Sequence, residues 1–222
     1  MNPVELKRIA GREAIKYIEN DMAIGVGTGS TVEQFIIELS KVKENFKNIL
    51  TVPSSYKTET LLKNYGFEIL DLEKKVDVYI DGADAIDRNL NLVKGGGGAL
   101  TREKILAYNS RKRIIIADES KIVENIFQRK VPVEILIYGY SVTMQNLKEI
   151  SLSAELRKSG EYPFITDNGN YIVDLQISEK EKPENINDRI KSIPGVVEHG
   201  IFIGLANLVI IAKNDGSVEL FE

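Results

Sequence analysis

Asp81-Gly82-Ala83-Asp84, Lys94-Gly95-Gly96-Gly97-Gly98 and Glu103 put carboxylates, an ammonium and a run of glycines within one short stretch of chain. A packed core has no use for that mixture. Carboxylates can move protons, an ammonium can neutralise a developing oxyanion, and glycines let backbone N–H groups approach a ligand closely. Asp81 directly follows the alternating run Val76-Asp77-Val78-Tyr79-Ile80, which reads as a strand. Glu103 lies about one turn into Ala99–Ala107, which reads as a helix. The polar groups therefore gather at a strand's carboxyl end and a helix's amino end, where open α/β sheets bind ligands.

Gly25-Val26-Gly27-Thr28-Gly29-Ser30-Thr31 is a second such junction between a strand and a helix. Its glycines and hydroxyls suit a phosphate, and equally suit a tight turn with Ser/Thr caps. No Gly-Lys-Ser/Thr ends it, and Ser30 holds the place of the third glycine of a dinucleotide fingerprint. Lys121, after the apolar run Ile114-Ile115-Ile116, reads as a further phosphate contact at a strand end. Asp81, Asp84 and Asp87 leave a carboxylate-only magnesium site open as an alternative. Pro53-Ser54-Ser55-Tyr56-Lys57 falls at the same sheet edge, and His199 has no partner in motif spacing, which favours a structural role.

The elements that must position these groups form a βα series through the first half. Strand-period runs at Met22–Val26, Ile49–Val52, Phe67–Leu70, Val76–Ile80 and Arg113–Ala117 alternate with helical spacing at Leu6–Ile18, Val32–Leu39, Thr58–Tyr65 and from Ala99. Ser30 and Thr31 are the expected caps of the second helix. Such alternation predicts an α/β fold with a mostly parallel sheet, covered by helices on both faces. From Val131 the order becomes βαββαβ, the split-βαβ, ferredoxin-like unit, with the helix at Pro183–Ile193 opened by its proline. The expected division is a Rossmann-like catalytic domain of residues 1–130 and 201–222, and a smaller ferredoxin-like α+β domain of residues 131–200. A hairpin around Asn214-Asp215-Gly216 ends the chain, and periodicity does not assign it to either domain.

Composition removes whole classes of function. With no cysteine and one histidine, disulfides, thiolate metal sites, cysteine nucleophiles and multi-histidine centres are excluded. The 29 basic and 33 acidic residues are interspersed, giving a net charge of −4, so nucleic acid is not an expected partner. No apolar run approaches the ~20 residues of a membrane span. The start of the chain does not read as a signal peptide, and a cytoplasmic location is expected.

In order along the chain, Gly25–Thr31, Asp81–Asp84, Lys94–Gly97 with Ala99–Lys104, and Ile116–Lys121 resemble type A ribose-5-phosphate isomerase. Val131-Pro132-Val133-Glu134, Thr166–Asn170 and Ile193–Val197 extend the resemblance over nearly the whole chain. It implies interconversion of ribose 5-phosphate and ribulose 5-phosphate through a cis-enediol, in the non-oxidative pentose phosphate pathway. It further implies no cofactor and no metal, a phosphosugar as partner, a ferredoxin-like lid, and a homodimer or homotetramer. Glu103 matches the base. Thr28, Gly29, Ser30, Thr31, Asp81, Gly82, Ala83, Asp84, Lys94, Gly95, Gly96, Gly97 and Lys121 match substrate-contacting positions. In that reading Asp81 or Asp84 carries the hydroxyl proton, Lys94 meets the enediolate, and Lys121 with Lys7 meets the phosphate. Gly98 stands where the family usually has alanine, a change expected to loosen the loop. The rival readings are an amino-sugar phosphate deaminase, a coenzyme A transferase and a non-catalytic sugar-phosphate sensor; no basic helix-turn-helix precedes the first strand.

Overall fold

A computed structural model describes all 222 residues, and they divide into two compact units. Strands are numbered along the whole chain. The first unit comprises Met1–Ala83, Arg102–Ile122 and Gly204–Glu222. Its strands are β1 (Ala23–Val26), β2 (Leu50–Pro53), β3 (Glu68–Ile69), β4 (Val76–Asp81), β7 (Ser110–Asp118), β15 (Leu208–Ala212) and β16 (Val218–Phe221). They form one sheet in the order β16-β15-β7-β4-β1-β2-β3, parallel except for the final hairpin partner β16. The terminal hairpin thus extends the first sheet.

Helices α1 (Pro3–Ala14) and α2 (Ser30–Ser40) pack Leu6, Ala10, Phe35 and Ile36 against Ile24, Val78, Ile80, Ile114 and Ile210. Because side chains alternate along a strand, Tyr79 and Asp81 project from the opposite face of β4. That face receives α4 (Leu100–Tyr108), whose Leu106 faces Tyr79 across the Gly25 position. Helix α3 (Tyr56–Asn64) follows β2 and is capped by the Ser55 hydroxyl, which accepts from the Thr58 N–H.

The first helix turn after β1 departs from expectation. Ser30 is already helical, Gly29 is the cap residue at φ 128°, and no side chain caps α2. The Ser30 hydroxyl instead accepts from Lys7 Nζ at 2.9 Å.

The second unit comprises Asp84–Thr101 and Val123–Ile203. Strands β8 (Val131–Ile135), β9 (Ser153–Leu156), β12 (Tyr171–Gln176) and β13 (Val196–His199) pair antiparallel in the order β13-β8-β12-β9. With α5 (Tyr140–Glu149) and α6 (Pro183–Lys191) this is the βαββαβ arrangement, closed over Val131, Val133, Leu147, Val173, Leu175, Ile186 and Ile190. A small sheet of β5 (Ala85–Ile86), β6 (Leu92–Val93) and β14 (Ile201–Phe202) adds Ala85, Val93 and Ile201 to the same core. A short hairpin, β10 (Lys158–Ser159) with β11 (Tyr162–Pro163), completes the unit. Segments 84–101, 123–130 and 201–203 pack with this second unit, whereas the expected division put them in the first. The reason is local: β5 and β6 are two residues each, too short for a period to show, and their apolar side chains fill the second core.

Candidate active site

In the first unit the chemistry collects around Asp81, which is fully buried at the end of β4. Its Oδ1 accepts from the Gly82 N–H at 2.7 Å and the Thr28 N–H at 3.1 Å, and its Oδ2 accepts from the Tyr79 hydroxyl. Burial, then the carboxylates of Asp81 and Glu103, push the Tyr79 phenol well above its ordinary range. Tyr79 therefore remains a donor, and both carboxylates act on it.

Glu103 is also buried, at 2% exposure. It belongs to the stripe Leu100, Glu103, Leu106 and Ala107, which is spaced to put one helix face inward. Glu103 is the polar member of an otherwise apolar face. A buried carboxylate is costly unless partners hold it or chemistry uses it.

Thr28 is held from two sides. Its hydroxyl lies 2.8 Å from both Ser54 Oγ and Ser55 Oγ, and Thr58 Oγ1 donates to the Gly27 carbonyl at 2.7 Å. The Pro53–Lys57 segment is thus the outer wall of the Thr28 loop. Gly27 has a definite reason: a Cβ there would lie 1.9 Å from Asp81 Cγ. The glycine makes room for the protein's own carboxylate, a use beside the phosphate approach and the tight turn that the sequence left open. Gly29, Ser30 and Thr31 open α2 beside Lys7. Lys121 ends a 3₁₀ turn after β7, whose Asp118 accepts from the Ser120 N–H at 3.0 Å, and its side chain is partly exposed.

In the second unit Asp84 is partly exposed, and its Oδ2 accepts from the Gly96 N–H at 2.8 Å. Lys94 is buried, donates its N–H to the Gly200 carbonyl at 2.8 Å, and carries Nζ 5.5 Å from the Phe202 ring centroid. Gly95 to Gly98 form a turn closed by the Gly98 N–H on the Gly95 carbonyl at 3.0 Å. Ala83 closes the first unit immediately before Asp84. Asp87 accepts from the N–H groups of Asn89 and Asn91 at 2.9 Å each, so it closes a hairpin turn. His199 Nδ1 accepts from the Ile201 N–H at 3.3 Å within the core of this unit.

Gly98 occupies a place where a side chain meets both backbone and steric resistance. Its φ is +83°, and a Cβ would stand 2.5 Å from the Phe164 ring. Gly98→Ala is therefore expected to lower stability by about 1–3 kcal/mol through forced left-handed backbone and displacement of Phe164. Chemical denaturation of the purified variant checks this, and an unchanged midpoint with unchanged slope would contradict it.

Sequence reading missed three further polar groups. Tyr79 looks like an ordinary strand aromatic. Glu134, fully buried in β8, accepts from Thr166 Oγ1 at 2.8 Å, Asn170 Nδ2 at 2.9 Å and the Thr101 hydroxyl. Arg157, after β9, reaches the carbonyls of Gly95 and Gly96. Only the Glu134 signal was visible, as a carboxylate inside a predicted strand. No three acidic or histidine side chains gather closely enough to hold a metal ion, and no helix is long and apolar enough to cross a membrane.

The chain as a whole is similar to known proteins. The family described as Ribose 5-phosphate isomerase A (phosphoriboisomerase A) matches residues 50–216. The chain is 48% identical over 210 residues to a ribose-5-phosphate isomerase A of Korarchaeum cryptofilum, covering 93% of each. It is similar to the solved ribose 5-phosphate isomerase of Plasmodium falciparum, with 40% identity over 99% of this chain and 98% of the other at a TM-score of 0.95. A D-ribose-5-phosphate isomerase solved in complex with phospho-erythronic acid aligns over 100% of both chains, with 39% identity and a TM-score of 0.96.

Proposed function

The chain belongs to the ribose 5-phosphate isomerase A family, and from that premise we propose how its residues divide the work of interconverting D-ribose 5-phosphate and D-ribulose 5-phosphate. The observation that carries the reading is Glu103, a carboxylate on the inward stripe of α4, set with Asp81 around the Tyr79 phenol.

Isomerisation moves a proton between C1 and C2 and a second proton between the two oxygens, through an enediol. Glu103 takes the proton from one carbon and returns it to the other. Asp84 relays the oxygen proton. It is partly exposed and its Oδ2 holds a single backbone N–H, while three donors already occupy Asp81. Asp81 anchors the Thr28 loop and keeps Tyr79 in place beside the base. Lys94 and the N–H groups of Gly95 and Gly97 meet the charge of the enediolate, while the Gly96 N–H holds Asp84.

The phosphate sits on Gly29, Ser30 and Thr31. There the first turn of α2 has no side-chain cap, and Lys7 already reaches Ser30. Lys121 supplies a second cation at the same edge of the sheet. Phospho-erythronic acid, with which a relative was solved in complex, presents a carboxylate where the substrate would develop enediolate charge, and it is expected to bind here as a competitive inhibitor.

The resemblance also carries a cytoplasmic location and a homodimer or homotetramer. Leu136, Ile137 and Tyr138 in the second unit are exposed, with Tyr138 at 93%, which supports self-association. Light scattering on the purified chain tests that part.

A coupled assay for ribulose 5-phosphate formed from ribose 5-phosphate tests the reading as a whole. Turnover is expected to survive exhaustive EDTA treatment in full. A magnesium requirement would instead favour the metal-bound reading of Asp81 and Asp84.

A further inference from the structure

The structure assigns Arg157, oriented by Asp174, as the positioning residue that fixes the direction of the peptide groups in the Gly95–Gly98 turn. This deepens the reading above, since that turn is proposed there to meet the enediolate. All of the residues involved lie within the second unit.

A stretch of consecutive glycines has no side chains to choose between one orientation of a peptide plane and its flipped alternative. The turn's own bond, from the Gly98 N–H to the Gly95 carbonyl, does not hold the Gly96 carbonyl, and a group outside the turn reaches both. Arg157 Nε donates to Asp174 Oδ2 at 2.9 Å and Nη2 to Asp174 Oδ1 at 2.5 Å, a fork that locks the guanidinium plane. Its backbone is held as well, by the Arg157 N–H on the Ile172 carbonyl at 2.8 Å and the Phe164 N–H on the Arg157 carbonyl at 2.9 Å. Nη1 is left to donate to the Gly95 carbonyl at 2.8 Å and the Gly96 carbonyl at 3.2 Å.

In a trans peptide the C=O and the following N–H point in opposite directions, and no peptide here is cis. With the Gly95 carbonyl on Arg157, the Gly96 N–H must point away from it, and there it meets Asp84 Oδ2 at 2.8 Å. That peptide is clamped at both ends. The next one has its Gly96 carbonyl on the same guanidinium, so the Gly97 N–H faces away as well, at an exposed residue. Arg157 thereby aims a donor outward and holds Asp84 to the loop. It touches neither of the reacting carbons in the proposed mechanism; it acts through the peptides it orients. Phe164, whose ring centroid lies 6.0 Å from the guanidinium carbon, fills the Gly98 side of the same turn.

The test uses the full chain, with Arg157→Met to keep the aliphatic stem without the donors, Arg157→Lys to keep the charge, and Asp174→Asn to loosen the fork. Two readouts are taken. Amide hydrogen exchange is expected to rise ~10-fold or more in Arg157→Met at Gly96 and Gly98, whose N–H groups are bonded to Asp84 Oδ2 and the Gly95 carbonyl, with the β8 and β12 amides unchanged. In the coupled assay kcat is expected to fall ~10–100-fold while KM for ribose 5-phosphate moves less than ~3-fold, because the oriented donors act on charge that appears only in the transition state. Arg157→Lys should fold like wild type and still lose at least ~5-fold in kcat, since a point charge cannot span the fork and two carbonyls. Asp174→Asn should fall between Arg157→Lys and wild type. Unchanged loop exchange, a kcat within ~2-fold of wild type in folded Arg157→Met, full kcat in Arg157→Lys, or a loss confined to KM would each overturn the assignment. If the wild-type chain shows no isomerase activity, the functional reading fails, and the exchange comparison still decides what Arg157 does to the turn.

Discussion

Glu103→Gln is expected to lower kcat for ribose 5-phosphate by ~2–4 orders of magnitude, the range for losing a general base, with little change in fold. The amide is nearly isosteric, so the inward stripe with Leu100, Leu106 and Ala107 keeps its packing. What disappears is the capacity to accept a proton. The substitution also removes one of the two carboxylates that push up the Tyr79 phenol, so the phenol should fall toward its ordinary range. Substrate binding should change little, because the proposed phosphate contacts at Gly29 to Thr31 and Lys7 are untouched. A folded Glu103→Gln enzyme with near-normal turnover would remove Glu103 from the carbon proton and leave the role to Asp84.

Gly27→Ala is expected to be almost as damaging, by a different route. The new methyl would stand 1.9 Å from Asp81 Cγ and 2.0 Å from its Oδ1, distances at which one group must leave. Backbone on both sides resists. The Gly27 N–H is bonded to the Ile80 carbonyl at 2.9 Å and its own carbonyl to Thr58 Oγ1 at 2.7 Å, so the carboxylate is the part that moves. Moving it breaks the bonds to Thr28, Gly82 and Tyr79 together. Displacement of catalytic groups by about 1 Å commonly costs ~10²-fold in rate, and overpacking a core costs about 1–3 kcal/mol in stability. Both effects should appear, in the coupled assay and in the thermal midpoint. Turnover within a few-fold of wild type would mean that Asp81 tolerates displacement and that its donors are dispensable.

Much of this was legible from residue types and spacing. The alternation of strand and helix periods predicted the parallel sheet, and the βαββαβ order predicted the ferredoxin-like unit, because periodicity reports burial and burial builds the core. Glu103 was legible through its company, a first-turn carboxylate close behind Asp81, Asp84 and Lys94, and through the family resemblance, while its place on the inward apolar face came from the fold. The carboxyl end of β4 marked Asp81, because a sheet edge is where a strand stops being packed.

Other features depended on contacts between residues far apart in the chain, which no local pattern contains. Gly27 reads as part of a ligand cradle or of a tight turn in sequence, and only the fold brings the Asp81 carboxylate to the place where its Cβ would be. Gly98 reads as a looser alanine until Phe164 is seen beside it. Segment 84–101 reads as part of the first unit, because two-residue strands carry no period. Arg157, separated by 62 residues from Gly95, carries no signal of its own. Composition and periodicity determine which residues must be inside and in what order the elements run. Which distant groups then share a hydrogen bond or exclude one another's side chains is decided by the packing of the folded chain, since those interactions act over a few ångströms in space whatever the distance along the sequence.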